Sequence, residues 1–227
     1  MLVNSSVCYV SNVNVALPFA LLLGAAASAQ ETDSFAELHE RARKAEKDLT
    51  TLKADFVETT ESALLAEPIV EKGTLVAARP IRVLLRYHTP AAKRVLVDGD
   101  QFLFEWPDRG IRERRRIGEM QENVDRYFYR ASLEDLRKLF TIEVASDPEL
   151  PKTRLVEMVP RSKRIRGGFE RLELWVDDAS LYMVKMRMVY PDGGGTKTIE
   201  LSNLEANVPL ADDEFRVDPE THSPHSP

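Results

Sequence analysis

Residues 73–106 read GTLVAARPIRVLLRYHTPAAKRVLVDGDQFLFEW, and the spacing of their turn residues decides the fold. Apolar and polar residues alternate in four runs, residues 69–79, 81–88, 93–99 and 101–106, each of a length and composition that reads as a strand. Thr89-Pro90 and Asp98-Gly99-Asp100 stand between runs as turn signals. The connections are too short to hold a crossover helix, so neighbouring strands are expected to be antiparallel and to follow one another as a meander.

Within this stretch Arg79 shares its parity with Ile81, Val83, Leu85 and Tyr87, while Arg82 and Arg86 alternate with them. With Val83, Leu85 and Tyr87 facing inward, Arg82 and Arg86 are expected to point to water and Arg79 to the mouth of any interior space. Pro80 can distort the pairing, so parity alone leaves the direction of Arg79 open.

The pattern extends in both directions. Upstream, SFAELHERARKAEKDLTTL (34–52) follows a possible cap at Asp33 or Ser34 and spaces Phe35, Leu38, Ala42, Ala45 and Leu49 as an amphipathic helix does. From Leu52 the period changes to two, with Leu52, Ala54 and Phe56 on one face. Downstream, IRERRRI (111–117) reads as a further strand. Residues 120–140 read as two helices, one over MQENVDRYFYRA and one over SLEDLRKLF, the second capped by Ser132 with Asp135 three residues on. Strands return as TRLVEMVP, FERLELWVD, LYMVKMRMVYP and TKTIELSNLEAN.

The chain has 227 residues, a length that suits one sheet-rich domain. VALPFALLLGAAA (15–27), followed by Ala27-Ser28-Ala29, has the length and the small-x-small ending of an export signal, although residues 1–29 contain no Lys or Arg. Cleavage after Ala29 is expected, dividing the chain into a signal peptide (1–29), one domain (30–219) and a polar, Pro-rich tail (220–227) expected to be disordered. The apolar run is shorter than the roughly 20 residues a spanning helix needs, and Pro18 interrupts it.

Cys8 is the only cysteine and precedes the apolar run. The mature chain would therefore have neither disulfide nor thiolate chemistry, and no acceptor cysteine for lipidation, because Gln30 holds that place. A soluble protein in the periplasm is expected.

The net charge of −6 gives no reason to expect nucleic acid as a partner. The local exception is RGIRERRRIG, with Arg109, Arg112, Arg114, Arg115 and Arg116. Its ordinary reading is a solvated strand, and its functional alternative is a docking patch for an anionic partner or lipid headgroups.

No Gly-x-Ser-x-Gly elbow, His-Glu-x-x-His helix or Gly-x-Gly-x-x-Gly fingerprint occurs. His39 and His88 stand alone, and His222 and His225 lie in the tail. No enzyme, no metal and no cofactor is expected. What the residues offer is a large antiparallel sheet, amphipathic helices and many flexible apolar side chains, arranged either around an ordinary filled core or around a cavity for apolar ligands.

The order of motifs resembles the LolA family of periplasmic lipoprotein carriers over nearly all of the mature chain. The resemblance rests on a helix and then a strand carrying Phe56, on Gly73 and Arg79-Pro80 in GTLVAARP, and on Tyr87 and Pro90 in RYHTP. It continues through Leu96–Gly99 (LVDG), the helical patterns in mid-chain, Leu155–Pro160, Phe169–Asp177, and the closing IELSNLEANVPLADDEFRVDP with Asn207 and Phe215. QFLFEWP, the RERRR strand and the tail depart from the family pattern.

The resemblance implies an α+β fold: an incomplete, unclosed antiparallel barrel of about 11 strands with a helical lid over an apolar cavity. It implies a lining drawn from Phe56, Val83, Leu85, Tyr87, Phe102, Phe104, Leu136, Phe140, Leu172, Leu174, Met186 and Met188. Arg79 falls on the arginine that latches the lid in this family. The implied function is a monomeric carrier that shields the acyl chains of lipoproteins between the two membranes. An inner-membrane ABC transporter of the LolCDE type would load it, and an outer-membrane acceptor of the LolB type would receive the cargo. A carrier of another amphiphile such as a glycolipid, and a lipoprotein-sensing interaction module, are the alternatives on the same fold.

Overall fold

A computed structural model describes residues 34–80, 82–117 and 132–216. The expected leader, the helix expected over 120–131 and the tail from 220 lie outside the described residues.

Among the described residues eleven strands form one sheet. In chain order they are β1 (Thr51–Glu61), β2 (Ile69–Ala78), β3 (Arg82–Thr89), β4 (Lys93–Asp98), β5 (Gln101–Trp106), β6 (Ile111–Arg116), β7 (Phe140–Ser146), β8 (Thr153–Pro160), β9 (Arg171–Asp177), β10 (Met183–Val189) and β11 (Thr196–Ala206). Among the described residues three α-helices accompany them: α1 (Ser34–Lys47), α2 (Leu133–Leu139) and the single turn α3 (Lys163–Arg166). The strand order is β6-β5-β4-β3-β2-β1-β11-β10-β9-β8-β7 with β6 and β7 as edges, and the described pairs are antiparallel. It is the unclosed antiparallel barrel that the family resemblance implies, built from the antiparallel neighbours the short connections predict. Two runs of hairpins, β1 to β6 and β7 to β11, are joined along the β1–β11 seam.

Asn207 secures that seam. Its backbone is left-handed, with φ 59°, a conformation that Asn tolerates better than other side chains that carry a Cβ. Its Oδ1 accepts from Thr50 N at 2.8 Å, and its own N–H donates to Thr51 O at 2.8 Å. The end of β11 is thereby tied to the start of β1.

Gly73 answers a different need. A Cβ there would lie 2.0 Å from the carbonyl oxygen of Arg86 and 2.7 Å from Phe56 Cζ. Only a glycine lets the Phe56 ring lie across β2 and meet Tyr87 edge-on, with ring centroids 5.0 Å apart.

Helices α1 and α2 share one face of the sheet. Leu38 of α1 and Leu136 of α2 pack with Phe140, Val156, Met158 and Leu172, and Leu174 and Met186 border this cluster. The face they cover is the inner face. A capping box starts α2, with the Ser132 hydroxyl accepting from Asp135 N at 3.1 Å. The helix stops one residue earlier than its apolar spacing suggests: Phe140, with φ −129° and ψ 149°, is already extended and opens β7.

The outer face is covered too, which corrects the expectation for Arg82 and Arg86. Val76, Leu84, Leu96 and Leu103 point outward and form a second cluster, closed by Phe215 and bordered by Leu210 from the segment that follows β11. Leu84 is 0% exposed. Arg86 pairs with the Glu214 carboxylate and donates to its carbonyl oxygen at 3.1 Å, while Arg82 lies over the Phe215 ring, 4.7 Å from its centroid. Arg94 donates to Arg216 O in the same strap. These arginines fasten the C-terminal segment rather than face open water.

Candidate functional site

Because side chains alternate along each strand and pairing is in register, one row determines a whole face. Phe56 pairs with Gly73, Gly73 with Tyr87, and Tyr87 with Lys93. In the next row Leu75 pairs with Leu85, Leu85 with Val95 and Val95 with Phe104. Val83 pairs with Val97, and Val97 with Phe102. Across the seam Glu58 pairs with Ile199, Ile199 with Met186, Met186 with Leu174 and Leu174 with Val156. Met188 pairs with Leu172 and Leu172 with Met158.

Every residue named from the sequence as lining and carried on a strand therefore falls on the inner face: Phe56, Val83, Leu85, Tyr87, Phe102, Phe104, Phe140, Leu172, Leu174, Met186 and Met188. Leu136 reaches that face from α2. The two halves differ in cover. Leu172 and Phe140 are buried beneath the helices, whereas Val83, Leu85, Val95, Val97, Phe102 and Phe104 are only half-buried. The half from β2 to β5 thus presents a continuous, half-buried apolar surface.

Arg79 stands at one end of this surface. Its Nη2 donates to the carbonyl oxygen of Glu46 in the last turn of α1 and lies 3.6 Å from Glu46 Oε1. The carbonyls of a helix's last turn have no partner within the helix, so a guanidinium suits them. The Arg79 N–H in turn donates to Thr50 O at 3.0 Å. Beside this contact lies a recess of about 150 Å³, lined by Leu49, Leu52, Ala77, Pro80 and Val83 with Arg79 itself.

Charge occupies the other end, and sequence reading missed it. Glu58 is 4% exposed. It accepts from Tyr87 Oη at 3.0 Å and from Lys197 Nζ at 2.6 Å. Burial, with the Glu58 carboxylate beside it, pushes the Tyr87 phenol above its ordinary value of 10.0. Lys93 Nζ meets both oxygens of Glu71, at 2.6 and 2.8 Å, and lies over the rings of Tyr87 and Trp106. The signal available in the sequence is the parity of Glu58 with Ala54 and Phe56.

Aromatic rings at the free edge also carry cations. Arg109 lies 4.2 Å from the Trp106 ring centroid and Arg115 lies 4.7 Å from that of Phe102. Strand β6 is exposed along its whole length, and Arg112 and Arg116 pair with Glu105 and Asp100. Among the described residues no group of three His, Cys, Asp or Glu side chains is placed to hold a metal.

The sequence model of the family described as outer membrane lipoprotein carrier protein LolA matches residues 47–218. The chain belongs to the LolA family. Membership supports a lipid-binding role of the carrier type in an extracytoplasmic compartment. No protein with a curated description matches the chain by sequence.

Solved structures are similar to this chain at low identity. An uncharacterized conserved protein from Thermus thermophilus is 11% identical with a TM-score of 0.52, covering 83% of this chain and 96% of its own. The lipoprotein LppX of Mycobacterium tuberculosis is 14% identical with a TM-score of 0.49, covering 78% and 97%. In the MucA/MucB complex of Pseudomonas aeruginosa the match is 11% identical with a TM-score of 0.48, covering 81% of this chain and 61% of that one. At 11% identity the likeness to the Thermus thermophilus protein speaks to fold alone. Among the described residues no helix is long and apolar enough to cross a membrane.

Proposed function

We propose that the protein is a periplasmic carrier that holds the acyl chains of lipoproteins against its inner face and moves them from the inner to the outer membrane. The observation that carries this reading is the half-covered inner face, where Val83, Leu85, Phe102 and Phe104 are apolar, contiguous in register and only half-buried. At about 0.8 kcal/mol per buried CH₂, an acyl chain gains enough on such a surface to cross water under escort. Met186 and Met188 add adaptable packing without fixed hydrogen bonds, which suits onward release.

Arg79 serves as the latch in this reading, because its bond to Glu46 O ties β2 to the end of α1 beside the recess. An ABC transporter of the LolCDE type would load the carrier, and an acceptor of the LolB type would empty it. The carrier works as a monomer, binds no cofactor and performs no catalysis. The test is release: the purified protein added to spheroplasts is expected to bring outer-membrane lipoproteins into the soluble fraction. Spheroplasts that retain all their lipoproteins in its presence would defeat the proposal.

A further inference from the structure

The turn between β8 and β9 carries Arg161, Lys163, Arg164 and Arg166, with no acidic residue between Glu157 and Glu170. Strand β6 is richer in arginine, yet there Arg112, Arg115 and Arg116 lie beside Glu105, Glu113 and Asp100. In the turn the acceptors are uncharged: Arg161 Nε donates to Phe140 O at 3.0 Å and Arg166 Nη2 to Pro160 O at 2.9 Å. Among the described residues no carboxylate lies within ion-pair distance of any of the four, and Lys163 and Arg164 are exposed.

The turn is held in place. Ser162 Oγ accepts from Ile165 N at 3.3 Å, and Arg161 N donates to Leu139 O at 2.8 Å, which seats the turn against the end of α2. Ile165 and Phe169 pack against the inner cluster, and Phe169 stacks on Phe140 with ring centroids 6.2 Å apart. The apolar side chains of the turn thus face the core, and its cations stand at the surface with no exposed large apolar residue among them.

That composition separates two classes of anionic partner. A stable protein interface needs an apolar or aromatic centre shielded from water. A layer of anionic headgroups is met by charge alone, each Lys or Arg strengthening the contact roughly 5-fold. The nearest acidic groups at this end of the sheet are Glu170 in the turn itself and Asp192 between β10 and β11, two strand spacings or roughly 10 Å away. Glu61 and Glu67 of the β1–β2 hairpin are four spacings away, roughly 19 Å, well beyond the Debye length of about 8 Å. Four cations against two carboxylates leave this corner positive on a chain of net charge −6, so the field of the whole molecule turns it toward an anionic surface.

We infer that the β8–β9 turn is the membrane-docking corner of the protein, where Arg161, Lys163, Arg164 and Arg166 rest on the headgroups of an anionic bilayer. A contact made of exposed charges is weak and salt-sensitive, which suits a protein that must leave the surface again. The inference goes beyond the carrier reading and does not depend on what the inner face holds, so vesicle binding and lipoprotein release are read separately.

The test sediments the exported protein with vesicles of phosphatidylcholine alone and of phosphatidylcholine with roughly one third phosphatidylglycerol. In low-salt buffer the anionic vesicles are expected to bind at least 10-fold more tightly, an advantage that fades as salt is raised. Equal binding to both overturns the inference and would assign the turn to an acidic protein surface instead. Two double variants locate the effect. Lys163→Gln with Arg164→Gln breaks no hydrogen bond or ion pair of these side chains among the described residues, and is expected to weaken binding to the anionic vesicles at least 10-fold. Arg115→Gln with Arg116→Gln removes the same two charges from β6 and is expected to change it less than 2-fold. Equal losses in the two would mean that binding follows net charge rather than the turn, and would overturn the assignment, as would an unchanged affinity in the first.

Discussion

Tyr87 Oη donates to Glu58 Oε2 at 3.0 Å in a position where both residues are buried. The bond gives the folded state a pH dependence. Burial and the neighbouring carboxylate raise the phenol above its ordinary value of 10.0, so the folded chain holds this proton where the unfolded chain has lost it. The stabilisation is complete below about pH 10 and is lost as pH rises toward the folded value. In urea titrations the wild-type protein is expected to lose up to about 1.4 kcal/mol per pH unit above pH 10 beyond the loss in Tyr87→Phe. Parallel pH profiles for the two proteins would show that the phenol is not held in this way. At pH 7 the same variant strips Glu58 of one donor, for an expected cost of roughly 1–3 kcal/mol.

Gly73→Ala is expected to be among the most damaging small changes in the sheet. The added Cβ meets a backbone carbonyl at 2.0 Å and the Phe56 ring at 2.7 Å, so either β2 must leave β3 or the ring must leave Tyr87. A loss of about 3 kcal/mol is expected, read as a lower urea midpoint with an unchanged slope. A loss below about 1 kcal/mol would mean that the strands separate easily at this point.

What was legible in the sequence follows from what is local. Alternation through Leu52, Ala54 and Phe56, and again through Val83, Leu85 and Tyr87, placed these residues on one face because side-chain period and strand pairing are both local rules. Arg82 and Arg86 were misread because their partners, Glu214 and Phe215, are about 130 residues away in the chain, and alternation cannot show what covers the second face. The same distance hid the charged end: Lys197 meets Glu58 only through the β1–β11 pairing. Phe140 was assigned to a helix because no Gly or Pro marks the helix end, and only the pairing of β7 with β8 draws it into a strand. Helix α3 is a single turn, too short for its periodicity to be read.

Arg79→Leu separates stability from function. The side chain is 50% exposed and its ion pair with Glu46 is solvated, so the cost to stability is expected to stay below about 1 kcal/mol. Losing the bond to Glu46 O frees the last turn of α1 from β2. Amide exchange at Lys47–Thr50 is expected to quicken several-fold, and transfer of bound lipoprotein to acceptor membranes to fall. Transfer at the wild-type rate would remove Arg79 from the mechanism.

The C-terminal strap makes the last prediction. Phe215 closes the outer cluster over Leu84 and Leu96, with Arg86 and Arg82 fixing it at Glu214 and at its own ring. Phe215→Ala removes a buried aromatic ring and is expected to cost on the order of 3 kcal/mol. Glu214→Gln leaves the ring in place, takes away a partly solvated pair and is expected to cost about 1 kcal/mol or less. The effect should also be local. Because the strap touches β2 to β5 and not the β7–β9 half, hydrogen exchange in Phe215→Ala is expected to rise first at Leu84 and Leu96 while Val156 and Leu172 hold their protection. Simultaneous loss of protection in both halves would show instead that the sheet unfolds as one unit and that the strap contributes only to its global stability.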